Sequence, residues 1–148
     1  MGLIDKFDAV IGATFGFEFD QHQAKGVMEI SGMKAEVDMI EVKTQTSDGK
    51  YVINKIVGRP KAGTVTITRA LTEDTQFADW VKEAQEGKVP RTNGSVIVYD
   101  TMMQPIMRYS LLDCQPATLE IGTLKAGDTN VTTEKLTLHH TGLSIEKG

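Results

Sequence analysis

The histidines are the residues most able to bind a metal ion, but their spacing argues against such a site. The chain has 148 residues and three histidines, of which His139 and His140 are adjacent on a predicted strand. Neighbouring residues of a strand point to opposite faces, so these two rings cannot hold one ion together. His22 lies far away in a predicted loop. We therefore predict neither a metal site nor a cofactor.

The other candidates for chemistry are two carboxylates, one thiol and a glycine pair. Glu36 and Asp38 are two residues apart, which places them on one face of a regular strand, as in a general acid and base pair. Such an alternating charged face is typical of a solvated or channel-lining strand. Cys114 has no histidine or carboxylate arrangement to activate it, and we expect a buried, inert thiol. Gly58 and Gly63 lack the ending of a phosphate-binding loop. The sequence thus predicts that the protein is not an enzyme.

The composition predicts one globular domain over residues 1–148. Apolar residues make up 40% of the chain, enough for one core. The net charge of −4 provides no basic stripe for phosphates, which argues against specific binding of nucleic acid. The N-terminal residues lack both a secretory signal and a membrane anchor, so we expect folding in a cytoplasm.

Apolar residues recur with a period of two between turn residues, which is the pattern of antiparallel sheets. The sequence predicts a mainly β fold, an antiparallel β-barrel or sandwich with one short helix packed outside. The run Ser95–Tyr99 is apolar on both faces and predicts a central strand, with Ile106–Leu112 as its antiparallel neighbour. The predicted strands begin or run at Phe15–Phe19, Val27–Ile30, Ala35–Thr44, Tyr51–Val57, Val65–Leu71, Ser95–Tyr99, Ile106–Leu112 and Val131–Ile145.

Two of these strands form one long predicted hairpin. Ala35–Thr44 changes phase near Met39 and Ile40, which indicates a β-bulge, and the chain returns as Tyr51–Val57 after an Asp-Gly turn. A hairpin of this length requires partners beyond its own domain.

The predicted helix runs from about Glu73 to Glu86, with Thr72 as its cap. Phe77, Trp80 and Val81 are spaced at i, i+3 and i+4, so we expect them to pack on the sheet as core residues.

Arg69 follows a strand with a threonine face. We assign it to that uncharged face, where two interpretations remain open: an ion pair with an acid of the same or a neighbouring chain, or an exposed arginine at a strand end.

An ordered series of short motifs resembles the inner tube proteins of contractile phage tails and contractile injection systems. The resemblance spans nearly the whole chain, and it departs from the family pattern at Ala70, where a glycine is usual, and at Gln115, where an aromatic residue is usual. The matching positions are Ser31-Gly32-Met33, Gly58, Arg59, Lys61, Gly63, Val65, Ile67, Arg69, Trp80, Arg91 to Gly94, Pro116, Glu134, Leu136, Leu138 and His140.

The resemblance implies a structural subunit that closes into hexameric rings, and the rings stack into a hollow tube inside a sheath. It implies partners that include other copies, the sheath protein, baseplate or hub proteins and tube-capping proteins, with DNA or protein effectors in the lumen. The subunit would fold in the bacterial cytoplasm and then belong to a phage tail or tail-like particle. Within that frame we expect the hairpin tip, Thr46, Ser47, Asp48 and Gly49, to contact the next ring, and Glu36 and Asp38 to face the lumen.

Two other interpretations remain open. A ring protein of type VI secretion, the haemolysin-coregulated protein, shares the fold but lacks this series of motifs. A small ligand-binding β-barrel would need an apolar cavity with a few polar anchors, and no cluster of residues nominates one.

Overall fold

The computed structural model describes residues 14–88 and 91–148, in which ten strands and one helix occur. The N-terminal segment, for which we predicted neither a signal nor an anchor, lies outside these ranges. The elements are β1 Thr14–Phe19, β2 His22–Gln23, β3 Val27–Ser31, β4 Val37–Gln45, β5 Tyr51–Pro60, β6 Gly63–Ala70, α1 Gln76–Gln85, β7 Thr92–Tyr99, β8 Pro105–Ile121, β9 Thr133–His140 and β10 Gly142–Lys147.

All neighbouring strands of the main sheet are antiparallel. The long strand β8 connects the group β2, β1 and β7 to the group β9, β6 and β3. Its first part pairs with β7 on one side and β10 on the other, and its last part pairs with β9. The register with β9 shifts between Pro116 and Thr118, where the proline removes one backbone donor. The strand order is β2-β1-β7-β8-β9-β6-β3, with β10 added on β8.

The fold is therefore the predicted antiparallel β class with one helix, but the described strands do not close into a barrel. Within residues 14–88 and 91–148, the outer strands β2 and β3 do not pair with each other. Strand β7 lies between β1 and β8, as expected of a central strand that is apolar on both faces.

The core is formed by side chains from strands of the main sheet and from the helix. On β6 the residues alternate, with Val65 and Ile67 fully buried and the threonines between them more exposed. Trp80 of α1 stacks on Phe19 of β1, with ring centroids 4.7 Å apart. The buried cluster contains Phe17, Phe19, Ala24, Val65, Ile67, Phe77, Trp80, Val96, Leu111, Cys114, Leu136 and Leu138, and Val81 packs against its edge.

The helix begins three residues later than predicted, at Gln76 instead of Glu73. The residues before it are held in a turn, because the Asp74 N–H donates to the Thr72 hydroxyl and the Asp74 carboxylate accepts the Gln76 N–H. The predicted cap Thr72 therefore supports this turn and not the helix, whose first flanking residue Thr75 makes no side-chain cap bond.

Candidate functional site

Strands β4 and β5 form a two-stranded sheet of their own, separate from the main sheet. Within the ranges that the structure describes, each of these strands pairs only with the other. The register shifts between Val37 and Met39, beside the predicted bulge. We call residues 37–60 the hairpin.

Large apolar side chains are exposed on both faces of the hairpin. Residues directly opposite each other share a face, and successive pairs alternate. Ile40 and Ile56 are therefore paired on one face, and Met39 and Val57 on the other. Between 37% and 79% of each large apolar side chain is exposed for Val37, Met39, Ile40, Tyr51, Val52, Ile53, Ile56 and Val57.

Such a hairpin is unstable in isolation. A lone two-stranded sheet is only marginally stable in water, and a contiguous exposed apolar surface marks a site of protein contact. The exposed pairs therefore make the hairpin the candidate interaction surface of this chain.

The tip of the hairpin is a hydrogen-bonded turn. The Thr46 N–H donates to the Lys50 carbonyl at 2.8 Å, and the Gly49 N–H donates to the Thr46 carbonyl at 3.0 Å. Gly49 has φ +80°, a conformation that favours glycine. Ser47 and Asp48 are exposed between them. The structure thus brings the four predicted contact residues together at one end of the hairpin, and their contact with another ring stays a prediction.

The root of the hairpin is the other end, where the two chains enter and leave. The Lys61 N–H donates to the Glu36 carbonyl at 2.8 Å, and the Lys61 ammonium lies 3.6 Å from the Glu36 carboxylate. Glu36 precedes β4, and the register shifts at Asp38. Strand alternation alone therefore does not place Glu36 and Asp38 on one face, and their position at a lumen stays a prediction.

Arg69 is fully buried and holds two carboxylates. Its Nε donates to the Glu134 carboxylate at 2.6 Å, and its two terminal nitrogens donate to the carboxylate and the backbone carbonyl of Asp74 at 2.9 and 2.7 Å. Its guanidinium carbon lies 4.0 Å from the centre of the Phe77 ring. We call Arg69, Asp74, Glu134 and Phe77 the Arg69 cluster. Its hydrogen bonds and ion pairs hold the segment before α1 against β6 and β9.

The cluster settles the two interpretations of Arg69 and corrects its predicted face. Arg69 pairs with acids of its own chain, and the prediction of an exposed strand end is wrong. It shares the apolar face of β6 with Val65 and Ile67, not the threonine face. The alternation of residues 65, 67 and 69 was the signal that could have placed it there.

Burial alone would raise the pKa of Asp74, but its hydrogen bond from the Gln76 N–H and its contact with the Arg69 guanidinium outweigh that effect. The pKa of Asp74 is therefore lowered, and the carboxylate is charged at neutral pH.

The remaining candidates for chemistry are buried or dispersed. Burial raises the pKa of Cys114 to about 11, so the thiol is protonated and unreactive at neutral pH. His139 is exposed and His140 is buried, as expected for opposite faces. Across residues 14–88 and 91–148, no three His, Cys, Asp or Glu residues are grouped closely enough to hold a metal ion. In the same ranges, no helix has the length and apolarity to span a membrane.

The fold is similar to several solved structures. A chain of the anti-feeding prophage cap matches with a TM-score of 0.78 and 15% identity, over 98% of this chain and 95% of that one. A chain of the PVC extracellular contractile injection system, in its sheath-tube complex in the extended state, matches with a TM-score of 0.76 and 15% identity over 95% and 93%. Hcp1 from Flavobacterium johnsoniae matches with a TM-score of 0.57 and 14% identity over 90% and 95%.

The sequence itself identifies the family. No curated protein matches the chain. The family model described as T4-like virus tail tube protein gp19 matches residues 12–144, which include the hairpin, the Arg69 cluster and nearly all of the strands. The chain therefore belongs to the T4-like virus tail tube protein gp19 family.

Proposed function

We propose that this chain is the structural subunit of the rigid inner tube of a contractile tail or injection system. Hexameric rings of the chain stack into a hollow conduit, and sheath contraction drives that conduit through a target envelope. The chain makes and breaks no covalent bond in this process.

The exposed apolar surface of the hairpin is the main observation in support of the proposal. Its exposed apolar pairs lie on both faces, so two different neighbours can cover them at once. A subunit that is contacted on two faces by copies of itself can close into a ring and also stack. Association then buries the apolar area that the isolated chain leaves in water, which favours assembly by about 25 cal/mol per Å² of that area.

The main body is suited to transmit force. The Arg69 cluster and the aromatic stack of Phe19 with Trp80 fix the helix on the strands, so that a push on one surface reaches the others without repacking. The net charge of −4 repels phosphates and favours passage of DNA over its retention.

Sheath, baseplate and cap proteins are the further partners of this proposal. The similar structures are described as a tube-terminating cap, a sheath-tube complex and a baseplate, and the family is that of a tail tube. Assembly in the bacterial cytoplasm, followed by incorporation in a tail or tail-like particle, follows from the same proposal.

A type VI secretion ring is the second candidate. The similarity to Hcp1 supports it, but at a TM-score of 0.57 against 0.76 for the injection-system chain. The family match to a tail tube favours the first candidate.

Light scattering on the purified protein over a concentration series tests the proposal. Six copies of the 16.2 kDa chain give about 97 kDa for a closed ring, and stacked rings give larger masses. A mass near that value, or growth of polymers, supports the tube. A strict monomer at every concentration contradicts it.

A further inference from the structure

The hairpin meets the main body at its root through two close contacts. Pro60 ends β5 and lies against Gly142 of β10, where an added Cβ would come within 3.0 Å of the proline Cβ. Gly63 begins β6 and is the cross-strand partner of His140, the last residue of β9. A Cβ on Gly63 would lie 3.2 Å from Nε2 and 3.3 Å from Cε1 of the imidazole. The His140 ring therefore packs directly on the backbone where the chain passes from the hairpin into the main body.

The surroundings of His140 suit a neutral ring. The side chain is 3% exposed, and its Nδ1 has no hydrogen-bond partner within residues 14–88 and 91–148. A neutral imidazole can leave one nitrogen without a proton, whereas the imidazolium carries an N–H on both nitrogens and needs an acceptor for each. Burying a charge without a partner is costly. The closed root therefore disfavours the protonated form of His140.

The charged side chains beside His140 strengthen this preference. Lys34 comes from the segment before β4, Lys61 comes from the segment before β6, and both line a pocket with His140. Glu36 is the acid among the described residues of that lining, and its carboxylate lies 3.6 Å from the Lys61 ammonium. The positive charges thus outnumber the negative ones, and the acid is already paired.

The strands around His140 supply no buried negative charge. On β8, Gln115 pairs with His139, so the register brings Asp113 and Cys114 nearest to His140. Asp113 is exposed, and the Cys114 thiol is protonated at neutral pH. The adjoining ends of β6 and β10, residues 63–64 and 142–143, have no ionisable side chain.

These surroundings determine the pH at which the root is stable. Burial is the main reason why the pKa of His140 is lowered from its usual value of 6.5; the adjacent His139 adds to the effect, and a backbone interaction with Gly142 opposes it. Above pH 6.5 the ring is neutral whether the root is closed or open, so the closed contact keeps its full stability. As the pH falls below 6.5, the open root binds the proton while the closed root does not, until the lower pKa of the closed form is reached. The equilibrium constant for opening rises by up to about tenfold per pH unit in that window.

We propose that protonation of His140 opens the root of the hairpin. The charged ring leaves its place against Gly63 for water, and the start of β6 separates from the end of β9. The hairpin is then no longer held in a fixed direction by the main body. All groups of this switch belong to one chain, so the proposal goes beyond the proposed function and does not depend on rings or on a tube.

Amide exchange of the dilute wild-type chain, followed by NMR at pH 7.5 and pH 5, tests the switch. The Lys61 N–H, which donates to the Glu36 carbonyl at 2.8 Å, and the Thr141 N–H, which donates to the Leu112 carbonyl at 2.9 Å, report on the root. The amides of residues 66–68 in the middle of β6 are the internal control. After correction for the intrinsic exchange rate at each pH, we expect the opening constants at the root to rise at least about threefold at pH 5. No rise at the root, or an equal rise in the middle of β6, overturns the proposal.

Two histidine variants assign the effect to one ring. His140→Gln keeps a polar side chain but does not bind a proton in this range, so the opening constants at its root should be the same at both pH values. His139→Gln is the matched control, because His139 is the exposed neighbour on the same strand. It should keep the rise of the wild-type chain. A rise that persists in His140→Gln, or one that disappears in His139→Gln, contradicts the assignment.

Direct titration of the His140 ring tests the proposal even where the glutamine variant does not fold. The ring signals of the wild-type chain are followed by NMR from pH 7.5 to pH 4. We expect the His140 signals to change only below pH 6.5, together with those of the Lys61 and Thr141 amides. A ring pKa at or above 6.5 overturns the proposal. A tube that forms while the root shows no pH dependence keeps the proposed function and rejects this switch.

Discussion

The main body and the hairpin are both built from antiparallel strands, yet the body buries its large apolar residues and the hairpin exposes them. In the body, Ile67 on β6 and Leu136 on β9 are opposite each other and fully buried. In the hairpin, Ile40 and Ile56 are opposite each other and about half exposed, at 52% and 50%. The body therefore buries its apolar residues within its own chain, whereas the hairpin leaves its apolar residues exposed, where the proposed contacts with other copies would bury them.

The largest effect is expected where the body buries charge. Arg69→Ala leaves Glu134 and Asp74 without their guanidinium, and we expect a loss of about 3–5 kcal/mol in the free energy of unfolding, measured in urea. Arg69→Lys is the control, because it keeps the charge but loses the forked hydrogen bonds. It should recover only part of the loss. A loss below about 1 kcal/mol for the alanine variant would contradict a stabilising role for the cluster.

A matched pair of substitutions compares the two regions directly. Leu136→Ala should cost about 2–5 kcal/mol in the body because it leaves a cavity in the core. Ile56→Ala in the hairpin should change the unfolding free energy of the dilute chain by only about 0.5 kcal/mol, as for other exposed positions. Urea denaturation at low protein concentration measures both. Similar losses at the two sites would show that the hairpin is packed within the monomer.

Assembly should respond in the reverse order. Ile56→Lys adds a charge to an apolar face of the hairpin, and we expect the concentration needed for assembly to rise by about tenfold or more, as for a central interface residue. Gln85→Lys adds the same charge on the exposed side of α1 and serves as the control. Light scattering gives both values. Unchanged assembly of the hairpin variant would remove that face from the interface.

The smallest effect concerns Asp74. Its folded pKa is lowered, so its stabilising contribution is fully present above the usual value of 3.8 and is lost as pH falls through the folded pKa. The advantage of wild type over Asp74→Asn should be on the order of 1 kcal/mol at pH 6 and should shrink below pH 3.8. Urea denaturation from pH 6 to pH 2 measures it, and Glu134 is present in both proteins. A constant difference would exclude Asp74 as the titrating group.

Alternation in the sequence predicted much of the fold. The central strand β7, the hairpin and the packing of Trp80 follow from local spacing and from the residues that can turn the chain. The register shift of the hairpin lies between Val37 and Met39, just before the predicted bulge at Met39 and Ile40. The start of α1 did not follow, because Asp74 suits the first turn of a helix equally well, and only its contact with Arg69, which is buried against Glu134 in the fold, decides its role. A pocket at the hairpin root, whose lining includes Lys34, Lys61, Gly63 and His140, was missed for the same reason. Its residues come from three separate segments, and only the folded chain brings His140 next to Gly63 and Lys34.

Amide hydrogen exchange of the wild-type protein at low and high concentration tests the central claim most directly. We expect the amides of residues 37–60 to exchange rapidly in the dilute chain and to become protected on assembly, whereas those of β6 and β9 are protected at both concentrations. Hairpin amides that are protected equally at both concentrations, or that stay unprotected while light scattering reports assembly, would contradict the account.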